Sequence, residues 1–517
     1  LSCFMALALC LTLLPAAALA AEHTDHCICG KTTHADIGDH KSQQNAFGNT
    51  AKELGKNSND ELTKGGQLWT TKTANFYNGS EQHTGYLLET GAYYLSADLE
   101  LTSPIIITGD VKLCLNGYSI TCKDTECAMN VYADDSRCLT LTDCKTTGKG
   151  KIICSNGTVV DIRSRKTFNM YGGTITGGSK GVYIDSSTFN MYGGTISGNS
   201  GRGVEVSGGM FNMSGGFISN NPGRGVSVGT DSEFNMSGGE ITGNKGGGVE
   251  VYVGSRTITV SGAAKIKENT VNDKLNNVYL PKDKFFTAND LTTGAEIGVT
   301  TAEPPTRSAP IKVAGAVANF SDYITSDQTG YEVKYDSSQG CMVLAIQEHK
   351  HCLCGKTDCN SGTGHLTDKI NFIPWTDAEA KKQYGNGKTA SNSLPKSKDN
   401  YYLVGDVTLT DTWEPKGGTV LCLNGHSITM NGDITAIYVI KDVTFTLCDC
   451  KGGKGAYGQI THGTNNETHS KYTGSGVEVS CGTFTMYVGN ITGNTASDGG
   501  GVFVNGAEFQ KGLFHMY

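Results

Sequence analysis

Apolar and polar residues alternate in short runs through the middle of the chain. Phe189 and Met191 flank Asn190, and Val204 and Val206 flank Glu205. This period of two predicts strands with one buried face. A third short run carries Ile175, Ile196, Ile218, Ile241 and Ile266. The whole pattern recurs as FNMYGGTIT from Phe168, FNMYGGTIS from Phe189, FNMSGGFIS from Phe211, FNMSGGEIT from Phe234 and the degenerate ITVSGAAKI from Ile258, in steps of 21, 22, 23 and 24 residues. A period near 22 is the mark of a solenoid. Gly172-Gly173 and Gly193-Gly194 separate the first run from the third, and glycine takes tight positive-φ turns without strain. Three short strands per period leave no room for a helix. The expected fold is therefore all-β, a right-handed parallel β-helix from about Leu95 to about Leu344, with Phe168, Phe189, Phe211 and Phe234 in one internal stack. Three residues after each isoleucine stands Gly178, Asn199, Asn221, Asn244 or Asn269. Gly and Asn tolerate the left-handed conformation. Stacked coils would align these amides as a hydrogen-bonded ladder.

A larger repeat lies over this one. His26-Cys-Ile-Cys-Gly-Lys-Thr32 returns as His351-Cys-Leu-Cys-Gly-Lys-Thr357, and Tyr93-Tyr-Leu95 as Tyr401-Tyr-Leu403. Leu113-Cys-Leu-Asn-Gly117 returns as Leu421-Cys-Leu-Asn-Gly425, and Leu139-Thr-Leu-Thr-Asp-Cys144 as Phe445-Thr-Leu-Cys-Asp-Cys450. The expectation is two tandem modules: a Cys/His-rich opening over 22–92 and a β-helix over 93–347 with degenerate final coils, then an opening over 348–400 and a β-helix over 401–517. Residues 1–21 read as a signal peptide ending Ala18-Leu19-Ala20, without the basic segment that should precede it. Phe514-His-Met-Tyr517 reads as another coil cut short, so the second module reads as truncated. The expected localisation is secreted or cell surface.

Of the 18 cysteines, all but Cys3 and Cys10 follow that segment. Each module opens on four aligned positions: Cys27, Cys29, His34 and His40, then Cys352, Cys354, Cys359 and His365. The exchange of His34 for Cys359 preserves zinc-binding capacity, whereas a disulfide would not tolerate it. Thiolates and imidazoles without a carboxylate fit a closed, structural Zn²⁺ site, with His26 and His351 as spare or supporting groups. Cys114 and Cys144 share strand parity, as do Cys422 and Cys450, so each pair either bridges or stays as thiols on one outer face.

These motifs together (HCxCG, YYL, LCLNGxSIT, LTxxDC and serial TFxMYGGxITGN) resemble the repeat-rich secreted β-helix proteins of anaerobic bacteria, in the broad pectin-lyase-like superfamily. The resemblance covers nearly the whole chain after the signal segment. It implies a surface or adhesive role and does not fix a function. Outward positions on one sheet are Asn169, Asn190, Asn212 and Asn235; on another they are Tyr183, Glu205, Ser227 and Glu250. Glu205 and Glu250 fall two coils apart, about 10 Å, at the loose limit for an inverting glycosidase pair. Arg202 and Arg224 lie near them. The Asn-Thr-Asp, Gly-His-Gly and Arg-Ile-Lys signatures of polygalacturonase-like hydrolases are missing from the sequence. A non-enzymatic binding, adhesive or structural role is expected, with polysaccharide lyase or glycoside hydrolase as the alternative. Host or cell-wall glycans and surface proteins are the expected partners; exposed Tyr171, Tyr183 and Tyr192 would stack on sugars. A net charge of −8 without a basic run argues against nucleic acid.

Overall fold

In the computed structural model, residues 51–76, 81–123, 125–131, 137–145, 150–316, 320–354, 369–451, 455–464, 472–507 and 510–517 are described. Three strands per period wind into a parallel β-helix. The first strand type runs from Gly91–Leu95 through Val111–Cys114, Cys138–Thr142, Thr167–Met170, Thr188–Met191, Met210–Met213 and Glu233–Met236 to Ile258–Gly262, each paired in parallel with the next. The isoleucine strands, such as Thr174–Thr176 and Thr195–Ser197, form a second stack. The Val-x-Val strands, such as Arg202–Ser207 and Val226–Val228, form a third. Glu296–Thr301 pairs with both the second and third stacks, so the three-sided coil loses its regular outline there.

Register sets the core. Phe168, Phe189, Phe211 and Phe234 are all fully buried, and their ring centroids lie 4.8, 4.9 and 5.3 Å apart. That spacing is the distance between hydrogen-bonded strands, so each coil adds one ring to a continuous stack. Met170, Met191, Met213 and Met236 stack beside them, and Ile175, Ile196, Ile218, Ile241 and Ile266 line the second side. A single coil has few internal contacts; it orders only against its neighbours.

The buried amides form the expected ladder. Asn199 Nδ2 donates to Asn221 Oδ1 at 3.1 Å, Asn221 to Asn244 at 2.9 Å, Asn244 to Asn269 at 2.8 Å and Asn269 to Asn277 at 3.0 Å. Every rung donates in the same direction, so the last needs an acceptor. Asp327 supplies it: its carboxylate accepts from Asn277 N, Asn277 Nδ2 and Thr300 Oγ1. Burial pushes the Asp327 carboxyl upward, and these donors oppose that shift. The ladder positions are not the left-handed ones that the sequence predicts. The left-handed residues are Gly177, Gly198, Asn220, Gly243 and Glu268, each one position earlier. The ladder asparagines are there for their amides, which serve coils on both sides.

The chain folds as two compact units, the first built mainly from the described residues up to Glu303 and the second mainly from Leu344–Tyr517. The second unit repeats the coil logic. Its seven-stranded sheet runs His349–His351, Ile370–Trp375, Asn400–Leu403, Thr419–Cys422, Thr444–Cys448, Thr483–Met486 and Leu513–Met516. Phe445, Phe484 and Phe514 stack at 5.5 and 5.2 Å. Asp377–Tyr384 is an α-helix, capped by the Thr376 side chain accepting from Glu379 N. No helix among the described residues is long and apolar enough to cross a membrane.

Candidate metal centre

The opening of the second unit gathers four side chains that could ligate a metal. His349–Lys350–His351 is a short strand antiparallel to Ile370–Trp375, with His349 opposite Phe372 and His351 opposite Ile370. Alternation along the strand puts both imidazoles on one face and exposed Lys350 on the other. Aromatic surfaces hold the rings. His349 stacks on Tyr402 at 4.1 Å and His351 on Phe372 at 4.5 Å, while the two imidazoles meet edge to face at 4.8 Å.

The sulfurs arrive from the coils. Cys422 ends the strand Thr419–Cys422, in register with Tyr402 on one side and Cys448 on the other. Cys450 follows two residues after Cys448. Two polar residues fix this corner. Asn424, at φ 53°, donates to Leu403 O at 2.9 Å and accepts from Cys450 Sγ at 3.3 Å. Asp449 is fully buried and accepts from the backbone N–H groups of Gly425, Lys451 and Gly458. The LCLNG and DC motifs are therefore one device: the Asn and Asp tie adjacent coils together, and the two cysteines are carried to one point.

The geometry fits an ion. The four donor atoms of His349, His351, Cys422 and Cys450 all lie within 4.8 Å of one another. A tetrahedral zinc with ordinary bond lengths has edges of about 3.8 Å between sulfurs, about 3.6 Å between sulfur and nitrogen and about 3.3 Å between nitrogens. Here Cys422 Sγ and Cys450 Sγ are 3.7 Å apart. His349 Nε2 is 3.8 Å from Cys422 Sγ and 3.4 Å from Cys450 Sγ. The two imidazole Nε2 atoms are 3.1 Å apart. His351 Nδ1 lies 2.6 Å from the carbonyl of Cys352. A carbonyl only accepts, so this nitrogen carries the proton and Nε2 is left bare as a donor to metal.

Burial holds the Cys422 thiol well above its usual range. Cys450 is raised by its contact with Cys422 and then by burial, against a downward pull from His349 and His351. Two adjacent buried thiols do not both ionise unaided, whereas a dication offsets both charges. With four protein ligands the site is closed, which suits a structural ion rather than one that activates water.

The ligand sets expected from sequence meet this site only at its margin. Cys352 is buried and Cys354 half-buried, directly after His351. Cys359 and His365 lie outside the described residues, as do Cys27, Cys29, His34 and His40. Sequence reasoning held His351 in reserve and passed over His349. It grouped Cys422 with Cys450 but did not connect them to the histidines.

The outward face of the coils is polar. Asn190, Asn212 and Asn235 each donate to the amide one coil earlier at 2.8–3.0 Å. Tyr171 and Tyr192 stack at 4.6 Å beside that ladder, and Tyr192 is exposed. The other row reads Asp161, Tyr183, Glu205, Ser227, Glu250 in register. Arg163 pairs with Asp161, Lys180 and Arg202 with Glu205, and Arg224 with Glu250. Comparison with known proteins gives no match among family models, curated proteins or solved structures.

Proposed function

We propose that this chain is a secreted or cell-surface β-helix protein of the pectin-lyase-like kind, with a non-enzymatic binding, adhesive or structural role. The stack of coils is a rigid platform for glycans. A structural Zn²⁺ on His349, His351, Cys422 and Cys450 fastens the opening of the second module. The observation that carries the non-enzymatic reading is the ion pairing of the outward carboxylates: Asp161, Glu205 and Glu250 each face an Arg or Lys. Each of these carboxylates is already engaged by a basic side chain of its own or the adjacent coil, so none stands as a free acid–base group on the outward face. The stacked pair Tyr171 and Tyr192 offers a flat apolar surface beside a row of amides, the combination that meets a sugar ring and its hydroxyls.

The test is binding to an array of cell-wall and host glycans, run beside assays for sugar release. Retention without product, weakened several-fold by Tyr192→Ala at unchanged far-UV circular dichroism, is the expected result. Release of reducing ends or unsaturated sugars would replace this reading with a hydrolase or lyase.

A further inference from the structure

The two units differ at one edge of their first coils. In the first unit the strand Ile105–Ile107 is covered by Glu81–Leu88, with Tyr86, Leu87 and Leu88 in register against Ile105, Ile106 and Ile107. On its other side Ile105 stands opposite Met129. In the second unit Trp413 stands opposite Ile437 in the corresponding way. Counted from the LCLNG motif, Trp413-Glu414-Pro415-Lys416 occupies the place of Ile105-Ile106-Ile107-Thr108. What lies against this edge is no longer a strand but the segment that follows the helix Asp377–Tyr384. Thr408 N donates to Ser391 O at 2.7 Å, and Trp413 Nε1 donates to Pro395 O at 2.8 Å. An apolar strand pairing has been replaced by a loop with charged neighbours.

A cavity of about 350 Å³ opens between that segment and the turn over 411–416, within the size range of small-molecule sites. Leu394, Leu409 and Trp413 are buried and form its floor. The indole N–H is already engaged by Pro395, so the floor is apolar. Tyr384 forms one wall. The rim is charged. Lys388 Nζ pairs with Asp411 Oδ2 at 3.3 Å. Lys396 Nζ lies 3.9 Å from the centre of the Tyr384 ring. Among the described residues neither Lys396 nor Lys416 is paired with a carboxylate. Exposed Glu414 stands beside them. An aromatic wall and apolar floor suit the apolar face of a sugar ring. Two unpaired ammonium groups suit an anionic substituent on it. Among the described residues no arginine lines the cavity. Lysines offer separate point charges rather than a planar fork, which favours a tetrahedral sulfate over a planar carboxylate.

We propose that this cavity binds a sulfated sugar. The ring rests against Tyr384 and the apolar floor, Lys396 and Lys416 meet the sulfate, and Glu414 accepts from sugar hydroxyls. This rests on the glycan-binding reading above and adds to it a second, charge-selective site in the second unit. The chain as a whole carries a net charge of −8, so the attraction for an anionic sugar comes from the rim lysines alone.

The experiment is a ligand-observed NMR titration of the full chain with galactose 6-sulfate, galacturonate, galactose and sodium sulfate. The sulfated sugar should bind about tenfold more tightly than galactose, and added salt should shrink that margin. Lys396→Gln with Lys416→Gln should remove the margin. Both lysines are exposed, so circular dichroism of that variant should be unchanged. Galacturonate carries the same single charge, so its weaker binding reports the shape of the anion. Tighter binding of galacturonate, or a margin that survives the lysine pair, would overturn the proposal. Sodium sulfate binding as tightly as the sulfated sugar would overturn it too, since the cavity would then hold an anion without a sugar. Array binding weakened by Tyr192→Ala, with no margin for galactose 6-sulfate, would overturn this site and spare the glycan reading. No binding to any sugar would overturn both.

Discussion

The coil stack from Phe168 to Ile266 and the opening of the second unit hold themselves together in opposite ways. In the stack each side chain meets copies of itself: Phe on Phe, Asn on Asn, Ile on Ile. Stability is spread over many equivalent contacts, and no single one is unique. At the opening, two histidines and two cysteines meet once. His349 reaches Cys422 and Cys450 across 73 and 101 residues of chain. Repetition makes a surface; convergence makes a site. The two regions should therefore fail differently when broken.

The largest effect expected is from removing the zinc ion proposed for the opening of the second unit. Structural zinc contributes on the order of 10 kcal/mol in small zinc-dependent folds. Chelation should abolish hydrogen-exchange protection in His349–His351 and Ile370–Trp375 and leave the strands from Thr167 to Met236 protected. Uniform loss over both regions would break the distinction. Next is Phe211→Ala, which deletes one ring from the stack and should cost about 3–5 kcal/mol. Exchange should rise in the coils of Phe189 and Phe234 as well as in its own. Confinement to one coil would contradict shared stability.

A smaller effect is expected at the end of the amide ladder. Asp327→Ala leaves the Asn277 donors without their acceptor and should cost about 1–3 kcal/mol, read by denaturant titration. The smallest is Phe217→Ser. Phe217 occupies the outward position beside Ile218 and is 51% exposed. Its loss should change stability by at most about 0.5 kcal/mol, although it too is a phenylalanine in a coil. A cost like that of Phe211 would mean that position in the repeat does not decide burial.

The stack was legible in the sequence because its period repeats five times, so the phase of Phe168, Ile175 and Asn199 could be read by counting. The left-handed turn was misplaced by one residue because Asn suits both that conformation and a buried amide ladder. Only the structure separates Asn221, which makes the ladder, from Asn220, which makes the turn. The candidate metal centre was half legible. Local spacing finds ligands close in sequence, and so it grouped Cys352 with Cys354, Cys359 and His365. It has no access to the winding that brings Cys422 and Cys450 back to His349. The repeated LCLNG and DC motifs carried that information, as pairs of cysteines whose purpose depended on what faced them.

Those two ligand sets differ in one measurable quantity. The central claim is that the second unit binds zinc through two nitrogens and two sulfurs. X-ray absorption at the zinc edge, on the full chain, counts the donors around the bound ion. We expect two sulfurs at about 2.3 Å and two nitrogens at about 2.0 Å, with the signal lost in Cys422→Ser. Three sulfurs and one nitrogen, retained in Cys422→Ser, would assign the ion to Cys352, Cys354, Cys359 and His365 and contradict the site described here.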